Sequence, residues 1–501
     1  MLYALFGEAW VAAITGLLFG VHPLTVEPIV WLGERKAILA GTFSFWALVL
    51  YVAYVRRGHR GFYLGSILAY VLALLSKPSA TPLPVLMLLL DYWPLGRMSR
   101  RAVVEKVPFL VIGVMSGILT LLSHASTSVV SLSYATDAKS KVLLACAKLM
   151  FYLGKLIWPA NLSPHYSTPA PPLLTNPVVV SGVVGVLLLI AVTVLSVRWT
   201  RAVLVGASFY FLAMLPMLGF VEYSPTFAND NYAYLPMVGL FLPVAWGVGR
   251  LMARPSGGAG RSVRGDAIFV AMWVVAGLEM AVTRHYLSFW KDTESLFRRV
   301  CALAPDMYVG HNDLGVALTQ KGRHDEAVEH FNTALRLKPD YAEAHHNLGV
   351  DFATRGHIDQ AIVHYREALR IKPHRAETHN NLGLALAVQG KTDEAIAHYK
   401  ESLRLKPNVA EAHNNLANAL VGQGKIDEAV AHYKESLRLK PNIPQTHNNL
   451  AMSLAAQGKI NEAIAHYREA LRIKPDYAKA RTNLANLLAA QGKVAPVTTS
   501  R

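Results

Sequence analysis

The sequence predicts an all-α protein in which a polytopic transmembrane helical domain precedes a solenoid of helical repeats. Of its 501 residues, 53% are apolar and 16% are charged, whereas soluble domains carry about 25% charged residues. Long apolar runs with few charges fill residues 1–285, and the remainder is charged throughout. In that remainder prolines recur every 34 residues, which indicates stacked helical repeats: Pro305, Pro339, Pro373, Pro407, Pro441 and Pro475.

Nine apolar runs reach, or nearly reach, the ~20 residues that a helix needs to cross a bilayer. The first run contains Glu8, has no basic segment before it and is followed by further runs, so we interpret it as a membrane helix and not as a cleaved signal. The runs lie at about 2–21, 37–55, 61–76, 78–94, 107–122, 178–197, 202–220, 234–252 and 266–284.

Arginine and lysine cluster in the short segments between runs, and such clusters mark the cytoplasmic face of a membrane protein. They account for much of the net charge of +16, so the excess of basic residues does not indicate nucleic-acid binding. Loops 22–36, 123–177 and 221–233, and the solenoid, are then predicted to lie outside the cytoplasm. The clusters are Arg56, Arg57 and Arg60; Arg97, Arg100, Arg101 and Lys106; Arg198 and Arg201; and Arg250, Arg254, Arg261 and Arg264.

This topology requires that residues 141–158 do not cross the membrane. Lys141, Lys148 and Lys155 recur every seven residues and therefore line one stripe of a helix. An amphipathic helix on the outer surface fits this pattern. The alternative is a tenth span, which would place the repeats in the cytoplasm.

Residues 306–475 form five tetratricopeptide repeats. In the second repeat Gly349 allows close helix contact, Phe352 fills the core, Ala361 packs at the helix crossing and Tyr365 completes the second helix. The other four repeats match this pattern. Solenoids of this kind bind proteins or peptides, so a protein partner is predicted.

Atypical units flank the repeats, as is common in solenoids. We predict a linker and partial repeat helix at 286–305, a capping helix at 476–493 and a disordered tail at 494–501. Cys146 and Cys301 are the two cysteines of the chain. They are far apart in the sequence, so neither a disulfide framework nor a cysteine metal site is indicated.

Two columns of histidine follow the repeat period. Neighbouring repeats stack ~10 Å apart, whereas zinc requires several nitrogens at about 2.0–2.1 Å. Packing within the repeat consensus is therefore the favoured interpretation, and no metal site is predicted. The columns are His311, His345, His379, His413 and His447, and His330, His364, His398, His432 and His466.

A third column consists of asparagines on the first helix of each repeat, with Asp313 at the first position. Their amides could offer donors and acceptors to a peptide backbone, and the column is similar to the asparagine ladder of the O-linked N-acetylglucosamine transferase solenoid. Alternatively, these side chains only tie neighbouring helices together. The candidate peptide-binding residues are Asn347, Asn381, Asn415, Asn449 and Asn483.

Several segments, in this order, resemble the transmembrane and tetratricopeptide repeat family and its bacterial relatives, which are related to the multi-spanning GT-C protein O-mannosyltransferases. The resemblance covers essentially the whole chain. The segments are VHPLTVEPIVWLGERKAILAGTFSFWALVLYVAYV, LALLSKPSATPLPVLMLLLDYWPLGR, YLGKLIWPANLSPHY, DNYAYLP and HYLSFWKDTESLF.

The resemblance implies a GT-C-like fold and transfer of a sugar, typically mannose, from a polyprenyl-phosphate carrier to a Ser or Thr hydroxyl outside the cytoplasm. Such a reaction needs a carboxylate to take the hydroxyl proton and donors that stabilise the departing phosphate. No other cofactor is indicated. The implied catalytic residues are Glu27, Glu34 and Arg35, and the implied donor-phosphate residues are Lys36, Lys77, Asp230 and Tyr232.

Each of these residues has a plainer interpretation, because charges that flank a span also serve as interfacial anchors. The chain departs from the family in two places: Asn231 stands where a basic residue is usual, and the sequence begins at about the span after the family's first acidic loop. The alternative function is therefore a non-catalytic membrane scaffold for envelope assembly. For either function the predicted location is a bacterial inner membrane, with the repeats in the periplasm.

Overall fold

The computed structural model describes residues 1–7, 9–26, 35–127, 137–167, 169, 174–218, 227–228, 234–252 and 263–492. The chain divides into two compact units, residues 1–307 and residues 308–501. Helices dominate both units, which confirms the all-α prediction for this part of the chain.

The first unit is built mostly from apolar helices. Apart from the short helix Arg100–Val104 and the amphipathic helix Thr293–Leu303, these helices are predominantly apolar, as expected for helices in a membrane. Their bounds are α1 Leu2–Phe6, α2 Ala9–Val21, α3 Arg35–Arg57, α4 Arg60–Ser76, α5 Leu83–Tyr92, α6 Arg100–Val104, α7 Val107–Thr127, α8 Ala138–Ile157, α9 Pro177–Ser196, α10 Ala202–Met214, α11 Met237–Met252, α12 Val263–Leu287 and α13 Thr293–Leu303.

Four of the described helices are long and apolar enough to cross a membrane. They are Lys36–Arg57, Arg100–Thr120, Pro177–Ser196 and Ala267–Trp290. Shorter apolar helices occupy four more of the predicted runs: Val11–Val21, Arg60–Ser76, Ala202–Met217 and Met237–Leu251. Helices suited to a membrane are thus present, while the count of nine crossings stays a prediction.

The structure corrects two of the predicted runs. Run 2–21 is divided at Gly7, whose φ of 80° ends helix α1. Run 78–94 contains a 3-10 turn at Pro78–Ala80 and then the ten-residue helix α5, which is ~15 Å long against the ~30 Å of a bilayer core. Prolines at 78, 82 and 84 explain the second break, because proline lacks the backbone donor that a helix interior needs.

Two basic clusters lie close together at one end of the first unit. Tyr54 and Tyr63, which flank Arg56, Arg57 and Arg60, donate hydrogen bonds to the Glu105 carboxylate at 2.9 Å and to the Glu105 carbonyl at 2.7 Å. Residues 97–106 therefore lie beside the turn between α3 and α4. We call this the basic end.

One arginine from each of the next two clusters lies at the same end, in contact with an aromatic ring. Arg201 lies over the ring of Tyr92 at 5.1 Å, and Arg250 lies over Trp246, whose ring is 6.2 Å from that of Trp93. Helices α3 and α4 run antiparallel, so the start of α3 and Lys77 lie at the other end, which we call the Lys77 end. This separation agrees with the predicted topology, and the orientation in a membrane stays a prediction.

A buried network of charged groups holds the basic end together. Asp91 and Lys106 form an ion pair, and both side chains are fully buried. Tyr51 donates to the Asp91 carboxylate at 2.6 and 2.8 Å, and Lys106 also donates to Tyr51. Arg97 lies 3.3 Å from Asp91. Lys106 was predicted from its loop position to be a topology marker, yet the structure makes it a core residue.

Helix α8 contains the segment that was predicted to lie on the membrane surface. It packs closely on α9, where a Cβ placed on Gly182 would come within 2.5 Å of the Ala147 Cα atom. Lys155 donates to the carbonyl of Ala160 at 2.6 Å, and Lys148 lies over the Phe227 ring at 5.7 Å. The helix is outside the set of candidate spans among the described residues, and its position relative to a membrane stays a prediction.

The second unit is a stack of helix pairs, which confirms the solenoid prediction. The turn between the two helices of a pair contains a glycine at positive φ, such as Gly356 (79°) and Gly390 (79°). Glycine adopts this conformation without strain. The helices are α14 Tyr308–Gln320, α15 His324–Leu337, α16 Ala342–Thr354, α17 Ile358–Ile371, α18 Ala376–Val388, α19 Thr392–Leu405, α20 Ala410–Gly422, α21 Ile426–Leu439, α22 Pro444–Ala456, α23 Ile460–Ile473 and α24 Ala478–Ala490.

Small residues let the two helices of each pair touch, as the repeat pattern predicted. A Cβ on Gly349 would meet the Tyr365 ring at 2.6 Å, and Tyr365 and Ala361 are buried. The final helix, α24, buries only Ala480 fully among its described side chains. That leaves it exposed on one side, as a terminal helix should be.

Candidate functional site

Most of the predicted catalytic residues cannot be placed. Glu27, Glu34, Asp230 and Tyr232 lie outside the described residues. Arg35 begins helix α3, and its side chain also lies outside that description. Their roles therefore stay predictions.

Lys77 lies at a pocket at the Lys77 end of the first unit. Three of the segments that carry the family resemblance meet there: the first three turns of α3, the segment after α4, and residues 234–236. Lys36 is exposed and is not among the lining residues. The lining residues are Ala37, Ala40, Gly41, Ser44, Lys77, Ser79, Ala80, Ala213, Met217, Tyr234, Leu235 and Pro236.

The polar groups of this pocket are one cation and three hydroxyls. Lys77 supplies the ammonium, and Ser44, Ser79 and Tyr234 supply the hydroxyls. Ser44 is 1% exposed, and its Oγ has no hydrogen-bond partner among the described residues. A buried hydroxyl without a partner is costly, so Ser44 is suited to bind a polar group that enters the pocket.

Tyr234 was not predicted as a site residue, although it belongs to the segment DNYAYLP. Its ring packs directly against the backbone of α3, where a Cβ on Gly41 would lie 2.4 Å from the Tyr234 Cε1 atom. Phe19 contacts the same ring, with centroids 5.2 Å apart. Nothing in the local sequence around Gly41 indicates this contact, because the two residues are nearly 200 positions apart.

The pocket is small, with a cavity volume of about 30 Å³. A single water needs roughly 10–15 Å³ measured in this way, so the cavity takes a group the size of two waters. It fits a phosphate oxygen or a sugar hydroxyl better than a whole sugar ring.

A second polar pair at the Lys77 end, His22 and Glu279, was also not predicted from the sequence. His22 is fully buried; its Nδ1 accepts from the Leu24 amide at 3.2 Å, and its Nε2 contacts the Leu156 carbonyl at 3.0 Å. Glu279 Oε1 lies 4.0 Å from His22 Nε2. Glu279 lies in the apolar part of helix α12, and an acidic residue in such a place often has a function. That position is the sequence signal that could have identified it.

No group of three or more His, Cys, Asp or Glu side chains in the described part of the chain is arranged to hold a metal ion.

The asparagine column of the solenoid is engaged in bonds between repeats. Asn347 donates to Asn312 at 2.9 Å and Asn415 donates to Asn380 at 3.1 Å. Asn483 donates to Asn448 at 3.0 Å. These bonds agree with the interpretation that the column ties neighbouring helices together.

The other two members of the column also have partners. Asn449 donates to Asn418 at 3.0 Å, and Asn381 accepts from Asn380 at 3.3 Å. All five predicted residues are half-buried. Peptide binding by this column stays a prediction.

Asp313 takes the place of asparagine at the start of the column. It accepts a hydrogen bond from Asn312 at 2.9 Å, and burial raises the pKa of its carboxyl to about 6. A carboxyl whose pKa is raised on folding stabilises the fold fully below its unfolded pKa of ~3.9. That contribution is lost as the pH rises through about 6.

We expect Asp313→Asn to stabilise the solenoid by about 1–3 kcal/mol at pH 7.5, since one pKa unit corresponds to about 1.4 kcal/mol. Near pH 4 most of the gain should be gone, because Asp313 is then protonated in the folded state and about half protonated in the unfolded state. Chemical unfolding of the wild type and the variant at both pH values measures the difference. Asp476→Asn, at an exposed position, is the control, and an equal gain at both pH values would contradict the prediction.

The fold defines the class of this protein: an apolar helical unit followed by a tetratricopeptide repeat solenoid. The family model of the Cilia and flagella-associated protein 70 C-terminal domain matches residues 307–499. Among solved structures, the chain is similar to YrrB, described as a TPR protein with an unusual peptide-binding site (19% identity, TM-score 0.33, 39% of this chain and 97% of that one). It is also similar to Pseudomonas aeruginosa pilF (25% identity, TM-score 0.35, 37% and 85%).

Two curated proteins from Drosophila melanogaster are similar to this chain. Protein O-mannosyl-transferase Tmtc2 is 28% identical over 139 residues, which are 28% of this chain and 14% of that protein. Protein O-mannosyl-transferase Tmtc1 is 29% identical over 133 residues, 26% and 15% of the respective lengths. The match thus spans about one seventh of the curated relatives. The chain is a tetratricopeptide repeat protein similar to the Tmtc proteins, and its bacterial origin stays a prediction.

Proposed function

We propose that this protein transfers a sugar from a polyprenyl-phosphate carrier to Ser or Thr hydroxyls of proteins that its solenoid binds. The first unit holds the lipid-linked donor in the membrane, and the basic end faces the cytoplasm. The Lys77 end and the repeats then face the opposite side, which is the periplasm if the protein is bacterial. Similarity to the two O-mannosyl-transferases supports mannose as the sugar.

The pocket at Lys77 is the observation that carries this proposal. Three of the five segments that carry the family resemblance contribute to it, together with Ala213 and Met217. An ammonium group surrounded by hydroxyls is suited to phosphate oxygens, which accept charge-assisted hydrogen bonds. Ser44 and Lys77 would hold the phosphate that leaves as the sugar is transferred.

The remaining roles follow the residue chemistry. Glu27 is the candidate base for the acceptor hydroxyl, with Glu34 as the second acid. Arg35 and Lys36 add positive charge at the start of α3. This charge would stabilise the negative charge that the donor phosphate gains as the sugar leaves. Asp230 and Tyr232 come shortly before Tyr234 in the sequence, and we place them beside the donor.

Transfer of radiolabelled mannose from a polyprenyl-phosphate donor to a Ser/Thr peptide, in membranes that carry the full-length protein, tests the proposal. Lys77→Met should lower transfer about 10- to 100-fold, since a hydrogen bond to a charged group contributes about 1.5–3 kcal/mol. Lys291→Met, at an exposed position, is the matched control. Glu27→Gln and Arg35→Ala should abolish transfer.

Gly41→Val distinguishes the effect of the pocket on sugar transfer from an effect on the stability of the fold. The added side chain displaces the Tyr234 ring, so transfer should fall while the amount of folded protein is retained. Gly117→Val, with open space around its Cα, is the control. If no donor gives transfer, the enzyme proposal fails, and recruitment of protein partners by the repeats becomes the function.

A further inference from the structure

Five histidine pairs run along the solenoid, one in each repeat. The two histidine columns meet within each repeat, where the Nδ1 atoms of the two rings lie 3.0–3.1 Å apart. Three of the first-helix histidines are nearly fully buried, with His311 9%, His379 9% and His447 7% exposed. The pairs are His311–His330, His345–His364, His379–His398, His413–His432 and His447–His466.

The hydrogen bonds determine which nitrogen carries the proton. The Nε2 of His379 lies 2.9 Å from the Pro373 carbonyl, which can only accept. This Nε2 is therefore protonated, and in the neutral ring Nδ1 is an acceptor. His398 must then donate its own Nδ1–H to His379. His413 with Pro407 and His447 with Pro441 repeat the arrangement at 3.0 and 2.9 Å.

Each pair accepts one extra proton but not two. A proton added to Nε2 of the second-helix histidine leaves the bond between the rings intact. A further proton on Nδ1 of the first-helix histidine places two N–H groups against each other. It also places two cations about 3 Å apart in a partly buried site, where their repulsion is strong.

Two carboxylates and one cation act on each pair of repeats two to five, and an arginine holds one of the two carboxylates in each set, which leaves little net charge to offset this repulsion. Arg370 is held by the Glu367 carboxylate at 2.8 Å, and Arg404 is held by Glu401 at 2.7 Å. The charged groups that act on the pairs are Asp340, Glu367 and Arg370 for the second repeat; Arg366, Glu394 and Glu401 for the third; Lys400, Glu428 and Glu435 for the fourth; and Lys434, Glu462 and Glu469 for the fifth.

We infer that the solenoid is a proton-sensitive element, which loosens repeat by repeat when acid drives a second proton into each histidine pair. The stack keeps its shape at neutral pH because one N–H···N hydrogen bond joins the two rings of each pair. The opening is local, because each repeat contacts only its neighbours. The inference goes beyond sugar transfer and does not depend on it.

The direction of the pH dependence follows from the second-helix histidines. Burial and the paired ring lower the pKa of His398, His432 and His466. The unfolded chain then binds more protons than the folded one once the pH falls below ~6.5. Stability is therefore full above that pH and declines below it.

Hydrogen–deuterium exchange of the full-length protein in detergent micelles, at pH 7.5 and pH 5.0, tests the inference. After correction for the intrinsic exchange rate, amide opening in the repeats should increase about tenfold per pH unit for each pair below ~6. Peptides from repeats two to five report each pair separately. Unchanged protection of these peptides at pH 5.0 would overturn the inference.

His432→Gln identifies the pair as the cause. The glutamine amide can still donate to His413 but does not titrate, so only the fourth repeat should lose its pH dependence. His374→Gln, at an exposed position, should change nothing. If the fourth repeat does not fold in the variant, His466→Gln gives the same comparison in the fifth. An acid response that persists in the substituted repeat would refute the assignment.

Discussion

Replacing Asp91 with alanine is expected to destabilise the first unit by about 3–5 kcal/mol, the usual cost of removing one partner of a buried ion pair. Both side chains of the Asp91–Lys106 pair are fully buried. The variant leaves the Lys106 ammonium with the Tyr51 hydroxyl and the Ala102 carbonyl, 3.1 Å away, as its remaining contacts among the described residues. The shift of the unfolding midpoint in an SDS titration of the micellar protein measures this loss.

Two further variants distinguish the cost of an unpaired buried charge from a general loss of packing. Arg101→Ala removes an exposed partner of Glu105 and should cost less than about 1 kcal/mol. The double variant Asp91→Leu with Lys106→Met removes both charges and should recover most of the stability. An Asp91→Ala variant as stable as Arg101→Ala would show that the network does not hold the basic end.

Tyr433→Ala should destabilise the solenoid by about 3–5 kcal/mol, the cost of truncating a large core side chain. Tyr433 is 2% exposed, and its hydroxyl donates to Asn418 Oδ1 at 2.5 Å. Because stability in a repeat stack is shared with neighbours, the loss should also expose the third and fifth repeats. Chemical unfolding followed by circular dichroism gives the free energy, and hydrogen exchange gives its extent along the stack.

Tyr433→Phe is the matched control, since it removes the hydroxyl and keeps the ring. It should cost about 0.5–1.5 kcal/mol, the net value of a hydrogen bond. Val363→Ala, at a residue 64% exposed, should change stability by less than about 0.5 kcal/mol. A Phe variant as unstable as the Ala variant would mean that the bond to Asn418, and not the packing of the ring, stabilises this repeat.

The sequence was most informative where structure depends on local pattern. The 34-residue spacing that ends at Pro475 predicted the repeats, because each repeat contacts only its neighbours and encodes its own helix pair. The apolar runs predicted helices suited to a membrane by the same local logic. The pattern was less reliable at Gly7 and after Pro78, where a glycine and a group of three prolines interrupt apolar stretches.

Contacts between distant segments had to come from the tertiary structure. Gly41 and Tyr234 meet at the Lys77 pocket, and Lys106 is paired with Asp91 in the core. The histidine columns were visible in the sequence, but their pairing within each repeat was not. The sequence by itself thus determined the helices and their periodicity, through short-range hydrogen bonding and hydrophobic pattern. The tertiary structure alone decided which polar groups face each other, because that depends on how whole helices pack.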